Sequence, residues 1–178
     1  VHAFNVAVDR AIVRPLSVGA GNAVPEPVRQ GIGNFAGNLD QPRYVLNNLL
    51  QLRIDDALAN TFRFAINSTI GLGGVLDPAS GIGLHAEATD FGETLHVWGA
   101  PEGAYVVLPV LGPSTSRDTV GFVVDRAMNP VRFFVEPPES YYATAAGIGG
   151  ALNTRYRFSD TIDELYYESA DGYAAARI

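Results

Sequence analysis

The sequence contains no cysteine, so disulfides and thiolate metal sites are excluded and the redox compartment stays open. It also contains no lysine; all twelve basic residues are arginine, a bias that fits the Ala-, Gly- and Pro-rich composition better than any one site. Charge is scarce: 17% of the 178 residues are Asp, Glu, Lys or Arg, below the roughly 25% of ordinary soluble proteins. The net charge of −7 comes without a basic cluster. Non-specific nucleic-acid binding and simple electrostatic docking on anionic lipid are therefore both disfavoured. Long apolar runs are missing too. No window approaches the run of about eighteen apolar residues that a helix needs to cross a bilayer. Yet 47% of the residues are hydrophobic, which sets the chain between a soluble globule and a membrane protein. No secretory signal pattern is visible, and the pattern is already amphipathic at Val1, so a mature or trimmed start is expected.

What is present is mostly helical periodicity. Phe4, Val8, Ala11 and Ile12 predict one face of a first helix over Ala3 to Val13, closed by Arg14-Pro15. Gly19 to Pro27 reads as a connector. Val24, Val28, Ile32, Phe35 and Leu39 then form an apolar stripe, and Pro42 is expected to end that helix before a short one over Tyr44 to Leu52. Asp55-Asp56 opens the next helix, with Leu58, Phe62, Ala65, Ile66, Thr69 and Ile70 expected to face the core and Gly71, Gly73 and Gly74 to stop it. A turn-rich loop over Asp77 to Gly83 precedes a short helix, Thr89 to Val97, capped by Thr89 or Asp90. Gly103 to Ser116 has no charge and reads as an extended arm or hairpin. Helical signals return over Asp118 to Met128, Ser140 to Tyr156 and Ser159 to Arg177.

The segment from Val24 to Leu39 is the most unusual. Its flanks carry Gly31, Asn34 and Asn38, with Gly33 and Gly37 as a small-xxx-small pair. Each Gly costs about 1 kcal/mol against Ala in a helix interior. Close backbone packing or a narrow passage that a side chain would block can offset that cost. At roughly fifteen residues, about 22 Å, it is too short to cross about 30 Å of hydrocarbon. This helix, Ala57 to Leu76 and the uncharged arm together carry more apolar surface than one small core needs. Either the core is generous or part of that surface faces lipid or a membrane partner.

Signals for catalysis are few. His2, His85 and His96 lack metal-ligand spacing, and Ser114 and Ser116 lie outside any G-x-S-x-G elbow. Gly71-Leu72-Gly73-Gly74 ends a helix rather than opening one, so it reads as a C-cap, not a phosphate loop. The pairs Asp55-Asp56 and Asp163-Glu164 read as helix-start carboxylates. The expectation is a protein that is not an enzyme and uses no cofactor or metal.

Several ordered motifs carry a family resemblance. Val13-Arg14-Pro15 precedes Val24-Pro25-Glu26-Pro27-Val28-Arg29, then Gly31-Ile32-Gly33-Asn34-Phe35-Ala36-Gly37-Asn38-Leu39 and Gln41-Pro42. Thr61-Phe62-Arg63-Phe64-Ala65-Ile66-Asn67-Ser68-Thr69-Ile70-Gly71-Leu72-Gly73-Gly74 leads to Asp77. Asp90-Phe91-Gly92-Glu93-Thr94-Leu95, Trp98-Gly99, Gly103-Ala104-Tyr105-Val106-Val107-Leu108-Pro109 and Gly112-Pro113-Ser114-Thr115-Ser116-Arg117-Asp118 follow. Over roughly Phe4 to Arg126 this order resembles the VacJ/MlaA family of outer-membrane lipoproteins, and Tyr167-Glu168-Ser169 to Asp171-Gly172-Tyr173 resembles the family's last helix.

The resemblance implies an all-α fold: one domain over residues 1–178, a ring or horseshoe of short amphipathic helices with one extended or hairpin insertion at about 103–116. It implies a place in the inner leaflet of a Gram-negative outer membrane, often beside a trimeric porin. There a central channel lets phospholipid strayed into the outer leaflet pass to a periplasmic lipid carrier protein, which preserves lipid asymmetry. No bond is broken and no cofactor is implied. The family's lipid-bearing N-terminal Cys is absent from this sequence. On that reading Gly31, Gly33, Asn34, Phe35, Gly37, Asn38 and Leu39 line the lipid path. The asparagines would serve the headgroup or pack the helix, and Phe35 and Leu39 would touch acyl chains or the core. Tyr105, Leu108, Pro109 and Leu111 belong to an arm expected to pack on the Gly-rich helix as a gate. Two other readings share parts of this picture: a porin-associated structural lipoprotein without transport, and a soluble periplasmic lipid carrier.

Overall fold

Two prolines that the sequence reading treats as helix ends sit inside continuous helix. The computed structural model describes residues 1–131 and 136–168. In it α1 (His2–Val8) passes through a π-helical turn (Asp9–Val13) into α2 (Arg14–Ala23), so Pro15 does not stop the helix. The carbonyl four residues before Pro15 belongs to Ala11, inside that wider turn, which absorbs the lost N–H and the ring's bulk. The break falls instead at Val24 and Pro25, which leave the helical region.

Next, α3 (Glu26–Leu50) runs 25 residues straight through Pro42. Pro42 withholds one N–H from the Asn38 carbonyl, while the Gln41 side-chain Nε2 donates to the Gly37 carbonyl one turn back at 3.3 Å. A helix of that length reaches about 37 Å, enough to cross a bilayer. Polarity, not length, bars it: α3 buries Asn38, Gln41, Asn47 and Asn48, and no helix among the described residues is long and apolar enough to cross a membrane.

The remaining elements are α4 (Ile54–Thr69), α5 (Pro78–Gly81), α6 (Phe91–Val97), β1 (Tyr105–Leu108), β2 (Gly112–Thr115), α7 (Ser116–Met128), α8 (Glu139–Arg157), α9 (Ser159–Asp163) and a second π-helical turn (Glu164–Glu168). The part of the helix expected over Ser159 to Arg177 that follows Glu168 lies outside the described residues. The strands form an antiparallel hairpin, Tyr105 facing Thr115 and Leu108 facing Gly112. Asp90 caps α6 through the Glu93 amide at 2.8 Å. Asp55-Asp56 lies in the first turn of α4 without a capping bond, and Asp163 ends α9 rather than starting a helix. The elements close a circuit: α2 on α8, α8 on α3, α3 on α6, α6 on α7, and α7 on the hairpin. The hairpin tip returns to α1. The fold is an all-α ring with one hairpin.

Its interior is polar. Among the described residues the buried hydrophobic ones are three alanines, Ala57, Ala79 and Ala146. The largest fully buried side chains are Asn47, Asn48, Asn60, Thr94 and Ser17. On α4 this reverses the expected direction: Leu58, Phe62, Ala65, Thr69 and Ile70 are exposed, and Ala57, Asn60, Arg63 and Asn67 point inward. The same reversal holds along α1 and the π-helical turn after it, where Phe4 and Ala11–Ile12 face outward while Asn5 and Asp9 are buried.

Inward polar groups are stable here because they are hydrogen-bonded. The Asn60 amide donates to the Glu87 carbonyl at 2.8 Å and its oxygen accepts from the Glu87 amide at 3.0 Å. Asn67 and Arg63 donate to Asp77, and Arg63 also donates to Ser80 and to the Leu84 carbonyl. Burial alone would push the Asp77 carboxyl up, but the donors on Ser80, Asn67 and Arg63 outweigh it and hold it below the ordinary carboxylate value.

Candidate functional site

The glycines of α3 and α8 divide between packing and open space. At Gly149 of α8 an added Cβ would stand 2.9 Å from Ile32 Cγ2, and at Gly150 it would stand 3.6 Å from the Ala36 Cβ. These two positions make the seam between α8 and α3. Gly31 is also close, 3.1 Å from Val75 Cγ1, whereas an added Cβ at Gly33 or Gly37 would meet nothing within 4 Å. Their small-xxx-small pair therefore serves no helix contact.

The seam has two unlike flanks. One is an apolar groove of about 610 Å³, lined by Val28, Gly31, Ile32, Phe35, Val75 and Tyr142 among others. The other is a charged pocket of about 590 Å³ that includes Glu26, Arg29, Gly33, Asn34, Asn153 and Arg157. One helix pair thus offers hydrocarbon-like and charged surroundings side by side.

The predicted path residues separate accordingly. Gly31 and Phe35 line the groove, and Gly33 and Asn34 the charged pocket. The Asn34 amide donates to the Val75 carbonyl at 3.1 Å. Asn38 lies within the wall: it is 3% exposed, its amide donates to Ser68 Oγ at 2.9 Å, and its side chain fills the space beside Gly74, where a Cβ would sit 2.6 Å away. Gly74 has φ +97°, so glycine answers both the space and the backbone there. Leu39 is half-buried and outside both cavities.

The arm is anchored elsewhere than expected. Asn5 of α1, 6% exposed, donates to the Leu108 carbonyl at 2.8 Å and accepts from the Val110 amide at 2.8 Å. The tip's two bare backbone groups need one donor and one acceptor, and an asparagine amide supplies both. The arm's hold is thus on the first helix, where the sequence reading placed it on the Gly-rich helix. Tyr105 and Leu108 are half-buried; Pro109 and Leu111 are exposed.

Sequence reasoning also missed the clasp that joins the two ends of the described ring. Arg155 of α8 grips both Asp9 carboxylate oxygens, at 2.9 and 2.8 Å, and reaches Asp163 at 2.6 Å. Tyr167 donates to Asp9 at 2.6 Å, and Arg14 pairs with Asp163 at 2.7 Å. Burial would raise the Asp9 carboxyl, but the bonds from Arg155 and Tyr167 hold it below the ordinary value; Arg14 and then Arg155 do the same for Asp163 against a smaller burial effect. The clasp's bonds to Asp9, and that from Arg14 to Asp163, join residues 146 or more apart in sequence, which no local spacing signals. The Gly-x-Gly-Gly run at 147–150, by contrast, was a visible hint of the α8 seam. Among the described residues no group of three His, Cys, Asp or Glu could hold a metal ion.

Comparison with known proteins agrees with this architecture. A solved structure belonging to work on the structural basis for maintenance of bacterial outer membrane lipid asymmetry superimposes with a TM-score of 0.79 at 31% identity, covering 96% of this chain and 84% of that one. The intermembrane phospholipid transport system lipoprotein MlaA of Shigella flexneri is 36% identical across 98% of this chain and 68% of its own length. The protein of that name in Escherichia coli K12 is 34% identical with the same coverage, and an uncharacterized protein of Rickettsia felis is 34% identical over 99% of this chain and 70% of its own. The family model of the MlaA lipoprotein matches residues 1–178. The chain belongs to the MlaA lipoprotein family.

Proposed function

We propose that the chain is the outer-membrane component of an intermembrane phospholipid transport system and that it maintains lipid asymmetry. It lies in the periplasmic (inner) leaflet, takes up phospholipid strayed into the outer leaflet and passes it to a periplasmic lipid carrier, beside a trimeric porin. Residues 1–178 act as one domain, and the work is transport rather than catalysis. The observation that carries this reading is the inverted burial. Leu52, Ile70 and Leu72 are 83%, 70% and 71% exposed, while the largest fully buried side chains among the described residues are amides and hydroxyls. Exposing such surface to water forfeits about 25 cal/mol per Å² that burial would return, and an apolar solvent removes that cost. The names of the relatives and the lipid-asymmetry context of the similar structure support the same reading.

Within this proposal Gly31 and Phe35 offer the acyl chains the apolar groove, and Gly33 and Asn34 lead to the charged side. Gly37, Asn38 and Leu39 shape α3 behind them. Tyr105, Leu108, Pro109 and Leu111 move as a gate when the hairpin leaves Asn5. A soluble carrier would need an enclosed apolar cavity; here the apolar space is a groove on an apolar exterior. The test is complementation. A lipid-anchored form of the chain is expressed in cells lacking their own family member, and phospholipid exposed on the cell surface is measured. Surface phospholipid returns to the wild-type level if the proposal holds. A chain that reaches the outer membrane and leaves surface lipid unchanged is a structural lipoprotein.

A further inference from the structure

We infer that the charged flank of the α3–α8 seam is a binding site for a singly charged phosphodiester, the headgroup linkage of a membrane phospholipid, with Arg29 and Arg157 taking the phosphate. This rests on the lipid-transport reading above and assigns it a headgroup site. The starting point is a contrast among the arginines. Arg14, Arg43, Arg53, Arg63, Arg117 and Arg155 each stand in an ion pair with a carboxylate. Among the described residues Arg29 and Arg157 stand in none, and both line the same pocket; Arg10, also without one, lies over the Tyr167 ring at 4.6 Å.

Arg29 is held ready. Its Nε donates to the Val24 carbonyl at 3.0 Å, its Nη1 to Asn153 Oδ1 at 2.9 Å, and its guanidinium lies 4.9 Å from the Tyr156 ring centroid. Those contacts fix its orientation, none neutralises it, and the Nη2 donors make no hydrogen bond among the described residues. Such an oriented guanidinium suits an oxyanion, since charge-assisted bonds to phosphate are among the strongest in proteins. Arg157 is exposed at the end of α8, and its side chain makes no hydrogen bond to a described residue. Gly33 leaves the floor open, with nothing within 4 Å of an added Cβ.

Charge sets the selectivity. Glu26 lines the same pocket and is likewise unpaired among the described residues, so two arginines and one carboxylate leave a single positive charge. That balances a phosphodiester, which carries one negative charge. A phosphomonoester carries about 1.5 to 2 negative charges at neutral pH, and Glu26 repels the excess. The apolar groove across the seam suits the tails of the same molecule.

The test uses the full chain in detergent with three lipids: phosphatidylglycerol, phosphatidic acid and diacylglycerol, with inorganic phosphate as a soluble competitor. Phosphatidylglycerol should bind best, and Arg157→Gln, at an exposed unpartnered side chain, should weaken it about tenfold while diacylglycerol is unaffected. Arg29→Gln should act alike, and Glu26→Gln should shift preference toward phosphatidic acid. Unchanged phosphatidylglycerol binding in Arg157→Gln, or an equal loss of diacylglycerol, overturns the site. Displacement of phosphatidylglycerol by inorganic phosphate at equal concentration assigns the pocket to a free anion and overturns it too. Failure of all three lipids to bind would instead refute the transport reading.

Discussion

Replacing Arg155 with methionine should nearly open the ring. The Arg155 and Asp9 side chains are 7% and 9% exposed, and the guanidinium makes bonds of 2.9 and 2.8 Å to Asp9 and 2.6 Å to Asp163. Arg155→Met keeps the length and apolar stem of the side chain but leaves the Asp9 carboxylate buried with the Tyr167 hydroxyl as its remaining donor. Removing one partner of a buried ion pair costs about 3–5 kcal/mol. Asp163 is less affected, since Arg14 still pairs with it at 2.7 Å. At about 2–4 °C per kcal/mol for a chain of this size, the loss lowers Tm by roughly 6–20 °C. Most of the loss comes from stranding a charge. The double variant Asp9→Asn/Arg155→Met, which strands none, should therefore recover more than half of it. Thermal unfolding in detergent, followed by far-UV circular dichroism, reads both. A single variant that loses less than about 3 °C, corresponding to about 1 kcal/mol, or a double variant no more stable than the single, would refute the reasoning.

Asp9, Asp77 and Asp163 are all held below their ordinary value of 3.8. The stability they contribute is complete above that value and drains as pH falls through their depressed pKa values. Unfolding midpoints measured at pH 7, 5, 4, 3 and 2 should stay level down to about pH 4 and then drop steeply; a decline between pH 7 and 5 would point to other groups. Asn5→Leu removes both bonds that hold the hairpin tip, so the Val110 amide should exchange its hydrogen at least tenfold faster at a cost of about 1–3 kcal/mol. Unchanged exchange there would mean the tip is held by something else. Gly149→Val drives a branched side chain against Ile32, where a Cβ already sits at 2.9 Å, and should destabilise the seam by about 1–3 kcal/mol, read in the same unfolding assay. Gly147→Ala, on the same helix with nothing within 4 Å, is the control: it should unfold no earlier than wild type and gain up to about 1 kcal/mol from helix propensity.

The helical spacing in the sequence was informative about faces and silent about their direction. On α4 the residues Leu58, Phe62, Ala65 and Ile70 and the residues Asn60, Arg63 and Asn67 fall on opposite sides, as periodicity requires. Period alone is symmetric under exchange of inside and outside, and the assumption of water as solvent put the apolar side inward. The solvent decides that sign. Pro15 and Pro42 misled for a local reason: a π-helical turn and a tolerated loss of one backbone bond let helix continue where propensity predicts an end. Gly31 and Phe35 line the apolar groove, and an apolar stripe with a small neighbour is the local pattern that singles them out. Asn5 gains its meaning from the hairpin and Arg155 from Asp9, each more than a hundred residues away, and Arg29 and Arg157 from the pocket they share; nothing in their neighbours marks them.

Lipid exposure of the outward faces is the most direct test of the inverted burial on which the rest depends. Nitroxide labels placed singly at Leu58, Phe62 and Leu72, each on an exposed apolar position, are measured in bilayers for collision with oxygen and with a water-soluble nickel chelate. The account predicts high oxygen and low nickel accessibility at all three, with the opposite balance at Glu26 and Arg157. High nickel accessibility at Leu58, Phe62 and Leu72 in the membrane-bound protein would contradict it.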